Sequence, residues 1–516
     1  MYVIMLPKSN RRKWVTGSFF YRVKRYIFMS YVPTYDAELK EDTMSYQPKA
    51  VIVGAGPNGL TAAARLALEG WSVDIYERSE KPGGAASSTD DMFAGAIVDL
   101  GAASHPFGVV SPAFQALHLE EYGLRWLRAP YEMAHPFEEG EAGLLVNSLT
   151  ETSELLDVDA AAWTRLHAPI VEHIDDHLAN LLRPVIGWPP HPVRMAKFGS
   201  SALLSASMLG KTLFSTEKAR ALLAGSAVHA IISPRKIFTG AFGILFGALG
   251  MSQGWPVAEG GTQRIVDALT AVIFSRGGRI HTNCDVTDLR ELPRADATIL
   301  NLTPRQILEM KGIPLSRRTR RSLRKWRYGT ATYKVDFMLS EPVPWSDPRV
   351  AKAGTVHVGG TVEEICRAEE DAAKGRMPEN PFVMTCQQYA ADPSRGMTLW
   401  TYAHVPHGYI ERSSGEVREI ITRQIERFAP GFRDIVTDTH DTSPTELEKW
   451  NPNLVGGDIA GGSMTGMQSL VRPMLSTHPH RLSNNLYLAS AATPPGAGVH
   501  GMPGWWAAEE ALSIKR

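Results

Sequence analysis

Between Lys49 and Glu77 the chain sets out residue types in the order required by a βαβ unit whose first turn is built from glycine. Ala50-Val51-Ile52-Val53 is a short apolar, β-branched run of the kind that forms a buried parallel strand. It leads straight into Gly54-Ala55-Gly56-Pro57-Asn58-Gly59, a GxGxxG placed where strand gives way to helix. Leu60 to Glu69 is rich in Ala and Leu without a breaker and reads as a helix, with Gly70 where a left-handed C-terminal residue is expected. Trp71 to Tyr76 carries a second strand, and Glu77 stands at its end.

Each residue type has a physical task in that order. Gly54 permits the tight turn, Gly56 lets backbone approach a pyrophosphate, and Gly59 allows close helix–strand packing. The helix N-terminus adds unpaired amides and a positive dipole end, so a diphosphate can be held without a cationic side chain. An acid at Glu77 suits ribose hydroxyls and argues against a 2′-phosphate, with Arg78 next to it as the one opposing feature.

The next segment selects the dinucleotide. Glu80-Lys81-Pro82-Gly83-Gly84-Ala85-Ala86-Ser87-Ser88 is a second glycine turn directly after the ribose acid, where an NAD dehydrogenase continues its alternating strands and helices. The run from Val51 to Ile97-Val98-Asp99-Leu100-Gly101-Ala102 resembles the FAD-binding start of the bacterial-type phytoene desaturase and amine oxidase superfamily. That resemblance implies FAD contacts at Gly54, Ala55, Gly56, Pro57, Asn58, Gly59, Glu77, Arg78, Gly83, Gly84 and Ala85; many members carry Arg where this chain has Ala85. Trp255 to Thr262 resembles the family's re-entry into the flavin domain, and the resemblance implies that backbone near Val286 holds the adenine side. Leu486 to Gly504 resembles the closing flavin motif and implies contacts at Ala491, Gly501, Met502 and Pro503. Ser490, Ala492 and Pro494 replace its commoner Gly, Gly and His, and the acidic residue of the amine oxidase branch is missing. Trp400, Tyr402, His404 and Pro406 are similar to the branch that contains pyridine nucleotide-disulphide oxidoreductase domain-containing protein 2, although the chain has no redox disulfide motif and no second GxGxxG.

The fold class expected is α/β: a discontinuous Rossmann-type FAD-binding domain with an inserted α+β substrate domain that includes a helical cap. A basic leader covers 1–46, the flavin domain 47–108, 253–312 and 479–516, a mainly helical cap 109–252, and the substrate sheet with its helices 313–478. Ala160 to Leu182 and Ser200 to Leu223 read as helices, Cys284 to Leu289 and Thr332 to Leu339 as strands, and a last helix opens at Trp505. Ile237 to Ala258 carries no charge but is interrupted by Gly240, Gly243, Gly247, Gly250 and Gly254, so a buried or tunnel-lining helix is expected rather than a membrane span.

Composition narrows the function. Of 516 residues 44% are hydrophobic and 21% charged, with 54 Lys and Arg against 54 Asp and Glu, so no global field favours nucleic acid. Cys284, Cys366 and Cys386 are isolated and the histidines show no paired metal-ligand spacing, which leaves no metal site and suits a reducing, cytoplasmic setting. In the leader, Lys8, Arg11, Arg12, Lys13, Arg22, Lys24 and Arg25 precede any acid and alternate with aromatics. It reads as a disordered leader, with Met29 or Met44 as alternative starts; a membrane-surface segment or an organelle-targeting peptide are the competing readings. The function expected is that of an FAD-dependent dehydrogenase or desaturase taking hydride from an apolar, isoprenoid-like or lipid-like substrate. Quinone or oxygen is the acceptor, with peripheral membrane contact and a homo-oligomer as further expectations. The alternatives are an oxygen-using amine oxidase and a flavin-binding interaction protein with little catalysis. His500 is the first candidate for contact with the reacting groups, beside His105, Gln468, Arg472, Trp505 and Trp506.

Overall fold

The structure, a computed structural model, describes residues 46–513. The readings of the basic leader therefore lie outside the described residues. Two sheets organise the molecule. In the first, strands run in the spatial order Arg481–Ser483, Leu486–Leu488, Ala297–Leu300, Lys49–Val53, Ser72–Tyr76 and Arg279–His281, all parallel except for the terminal hairpin. Ala50 to Val53 are buried on both faces, as the unbroken apolar run requires of a strand covered from both sides. The helix Pro57–Leu68 covers one face through Leu60, Ala62, Ala63, Leu66 and Ala67, and packs against the last helix, Met502–Ser513. The two approach so closely that a Cβ on Gly504 would sit 1.8 Å from the Asn58 carbonyl oxygen.

The second sheet has the order Val436–Thr442, Ala331–Leu339, Thr398–Val405, Val383–Cys386, Ala353–Val358, Tyr131–His135 and Gly143–Leu145. Its neighbours are antiparallel except for Ala353–Val358 with Tyr131–His135. Helices Glu217–Val228 and Thr239–Ser252, packed on each other, form the centre of the cap. The second helix is 14 residues long and buried nearly throughout, which explains its charge-free composition. Among the described residues no helix is long and apolar enough to cross a membrane.

Several local expectations change. The mainly helical 109–252 segment also supplies Tyr131–His135 and Gly143–Leu145 to the second sheet; both are buried on each face, so they show no strand alternation in sequence. Ala160 to Leu182 divides into Ala160–Val171 and Ile174–Leu181. Ser200 to Leu223 is shared by three helices, because Ser205 and Thr216 start new ones by accepting the Met208 and Ala219 amides. Cys284 to Leu289 forms no strand: Asn283 adopts φ +56 just past Arg279–His281, and only an isolated bridge joins Asp288 to Lys311. The last helix begins at Met502 rather than at Trp505.

Candidate functional site

The glycine turn is held by its neighbours. A Cβ on Gly59 would lie 2.0 Å from the Gly54 carbonyl oxygen, so the first helical turn folds directly onto the strand end. The Ala55 amide donates to Glu77 Oε2 at 2.6 Å and the Ser79 amide to Oε1 at 2.8 Å, which fixes the carboxylate beside the turn. The second glycine turn meets the first: a Cβ on Gly84, at φ +53, would stand 3.1 Å from Gly56 Cα. Asn301, at the end of the neighbouring strand, ties the first turn to the closing segment; its Nδ2 donates to the Ala489 carbonyl and its Oδ1 accepts the Gly59 amide at 3.3 Å. In sequence Asn301 looks like the end of an ordinary strand.

These turns open into one continuous cavity of about 1250 Å³, above the range usual for a drug-sized ligand and roomy enough for a cofactor with a substrate. Gly54, Gly56, Pro57, Asn58, Glu77, Arg78, Gly84, Ala85, Val286, Ala491 and His500 line it, so residues from all three flavin segments converge. Ala55, Gly59, Gly83, Gly501, Met502 and Pro503 are not among its lining residues. Arg78 reaches across to donate to the Lys449 and Trp450 carbonyls, fastening the ribose end to the substrate domain. Deeper in, the lining becomes apolar: Leu182, Phe198, Ala202, Phe242, Leu245 and Phe246 from the cap face Trp400, Tyr402 and Met384 on the sheet. Among the other candidates His105 lines the cavity, with Nε2 2.8 Å from the Thr262 hydroxyl. Arg472 is buried behind it, donating to the Ala460 and Gly462 carbonyls, and Trp506 donates to the Leu182 carbonyl. Trp505 stacks on Arg65, and Gln468 ties down the Arg327 backbone.

Two buried ion pairs have no counterpart among the residues singled out in sequence. Lys334 lines the cavity, pairs with Asp336, and lies 5.6 Å from the Trp400 ring centre. Lys334 and Asp336, two residues apart and so on one face of the strand Ala331–Leu339, are the signal that could have found it. Asp99 pairs with Arg395 at 2.9 Å, both fully buried, and also accepts from Ser88, Thr262 and Gln388. This joins two flavin segments to the sheet domain.

Burial keeps several of the histidines neutral. His500 accepts the Met502 amide at Nδ1, its carbonyl accepts the Ser111 hydroxyl, and burial holds its pKa at about 4. It lines the cavity as a fixed hydrogen-bonding group and not as a proton store. Burial likewise lowers His105, His135, His167 and His480 to about 4. The unfolded chain takes up these protons near pH 6.5, whereas the folded chain refuses them until about pH 4, so stability is kept above the unfolded value and lost as pH falls through that window. Denaturant unfolding from pH 7 to 4.5 is expected to show falling stability, each buried histidine adding up to about 1.4 kcal/mol per pH unit; a flat profile would contradict their neutral burial.

A glycine-turn dinucleotide cradle opening into an apolar chamber between a sheet and a helical cap is the arrangement of a flavin-dependent oxidoreductase. Residues 58–502 match the family described as flavin containing amine oxidoreductase, and the chain belongs to it. Pyridine nucleotide-disulfide oxidoreductase domain-containing protein 2 of Mus musculus is 25% identical, with 88% of this chain and 91% of that protein covered. Hydroxyneurosporene desaturase of Cereibacter sphaeroides is 26% identical, covering 88% and 94%. Among solved structures, an oxidoreductase from Methanosarcina mazei superposes with a TM-score of 0.59 at 18% identity over 90% of this chain and 100% of that one. The cofactor is FAD, and the residues fit it: the abutting glycine turns leave backbone where side chains would intrude, and Asn58 Oδ1 is buried beside them without a protein partner. Gly54 to Asn58 and Gly84 would hold the diphosphate, Glu77 a ribose, and backbone near Val286 the adenine.

Proposed function

We propose that this protein is an FAD-dependent dehydrogenase or desaturase whose substrate is a largely apolar organic molecule seated in the cap half of the cavity. The observation that carries the reading is the continuity of one cavity from the nucleotide cradle to a wall of Leu182, Phe198, Phe242, Leu245 and Phe246. FAD supplies a hydride acceptor. The chain's contribution is to hold the substrate carbon in place and keep water out, which a close-packed apolar wall does. A cationic amine fits less well. Trp400 and Tyr402 form an edge-to-face pair that could receive one, but Lys334, paired with Asp336, already lies over the Trp400 ring. Anaerobic titration of the holoprotein is expected to bleach the flavin with long-chain apolar substrates and not with primary amines; bleaching by amines alone would overturn the reading. Quinone or oxygen then takes the electrons.

The cap also supports the proposal of peripheral membrane contact. Trp188 is 81% exposed and Val193 68%, with Val185 beside them, and Leu203 is both exposed and part of the cavity lining. Lys197 and Lys236 in the cap are exposed as well. A substrate too apolar for water would leave the bilayer past Leu203. Flotation with anionic vesicles is expected to carry the protein upward, and Trp188→Ser with Val193→Ser to reduce that several-fold; equal flotation would remove this surface from the proposal.

A further inference from the structure

On the reading that an apolar molecule fills the cap half of the cavity, we propose that His229 selects its chemistry: Nδ1–H of this imidazole donates a hydrogen bond to a neutral oxygen acceptor, a carbonyl, ester or hydroxyl, on an otherwise hydrocarbon substrate. His229 comes directly after the helix Glu217–Val228 and is an ionisable group in a cap wall otherwise built from groups such as Phe198, Ala202, Phe242 and Leu245. Its ring is fixed by Phe246 at 4.9 Å and by Trp255 at 4.7 Å, edge to face.

The groups behind the ring decide where its proton sits. His229 Nε2 is 3.0 Å from Nε2 of His357, a fully buried residue of the strand Ala353–Val358. Burial keeps both rings neutral, pushing His229 down to about 3 and His357 well below its ordinary value. Two neutral imidazoles in Nε2-to-Nε2 contact hold one proton between them. His357 Nδ1 is sealed without a partner and lies against Gly225, where a Cβ would be 2.6 Å away. An N–H there would be a buried donor with nothing to accept it, whereas a bare lone pair is the more tolerable defect. The His357 proton therefore sits on Nε2 and is donated to His229 Nε2. That leaves the His229 proton on Nδ1, an atom with no protein hydrogen bond that is not among the sealed polar atoms of the interior. A pure hydrocarbon would cover this donor without satisfying it; an oxygen acceptor would pair with it.

The test compares a long-chain n-alkane with the methyl ketone of equal length, titrated into the holoprotein and followed by perturbation of the flavin absorbance. The ketone is expected to bind about tenfold more tightly, and His229→Phe, which keeps an aromatic ring in place, to bind both equally with unchanged flavin content. Independently of ligand and variant, nitrogen-15 NMR of histidine-labelled holoprotein is expected to show His229 protonated at Nδ1 and His357 at Nε2. Equal affinity of the native protein for the two probes, a ketone preference surviving in His229→Phe, or a proton on His229 Nε2 would each overturn the proposal. If neither probe perturbs the flavin while amines do, the apolar-substrate reading has failed, and with it the role given to His229, even where the NMR upholds the tautomer.

Discussion

Replacing Gly59 with valine is expected to give a protein that contains no flavin and unfolds far more readily than the native one. The Cβ alone would stand 2.0 Å from the Gly54 carbonyl oxygen and 3.2 Å from the Asn301 side chain, inside a helical turn with no room to shift. The contact involves backbone, so no rotamer change relieves it; the strand-to-helix turn must open, at a cost of about 3 kcal/mol or more. Opening it displaces the amides of Gly56 and Asn58 from the cavity wall and loosens Asn301, which ties this turn to the Ala489 carbonyl. The flavin-to-protein absorbance ratio of purified Gly59→Val, beside its denaturant midpoint, measures both effects. Gly70→Ala is the companion control: Gly70 has φ +80 but nothing within 4 Å, so the variant carries only the left-handed strain of about 1 kcal/mol and keeps its flavin. A fully flavinylated Gly59→Val would show that the turn does not form the cradle.

Removing either member of the Asp99–Arg395 pair is expected to destabilise the protein by about 3–5 kcal/mol, because the remaining charge is buried without a counterion. Both side chains are fully buried, and Asp99 additionally accepts from the Ser88 hydroxyl at 2.6 Å, the Thr262 amide at 2.9 Å and the Gln388 amide group at 2.8 Å. Arg395 donates to the Ile97 carbonyl, and Trp400 to the Asp99 carbonyl at 3.0 Å. The pair thus positions Trp400, and through it the cavity wall around Lys334, against the flavin domain. Asp99→Ala and Arg395→Met should each lower the unfolding midpoint and perturb the flavin spectrum. The double replacement should lose less than the two single losses together, since no unpaired charge remains. Strict additivity would mean that the two charges do not sense each other.

The cradle was legible because its determinants are local. Gly54 to Glu77 is one continuous segment in which turn, helix start and acid result from backbone sterics and hydrogen-bonding needs, and the structure places Gly54, Gly56, Pro57, Asn58 and Glu77 along the cavity. The second glycine turn and the closing motif were recognisable for the same reason, as was the buried character of Thr239–Ser252 from its lack of charge. The tertiary structure alone decided that Tyr131–His135 and Gly143–Leu145 join a sheet whose other strands come from 331–442, and that Ser205 and Thr216 divide the cap helices. It alone brought Asp99 to Arg395 and His229 to His357, and it set His500 in the cavity wall with its Nδ1 accepting the Met502 amide. Such contacts join residues far apart in the chain, and they depend on which faces meet when the layers pack. Side-chain periodicity records which face of an element is buried, but not what it is buried against.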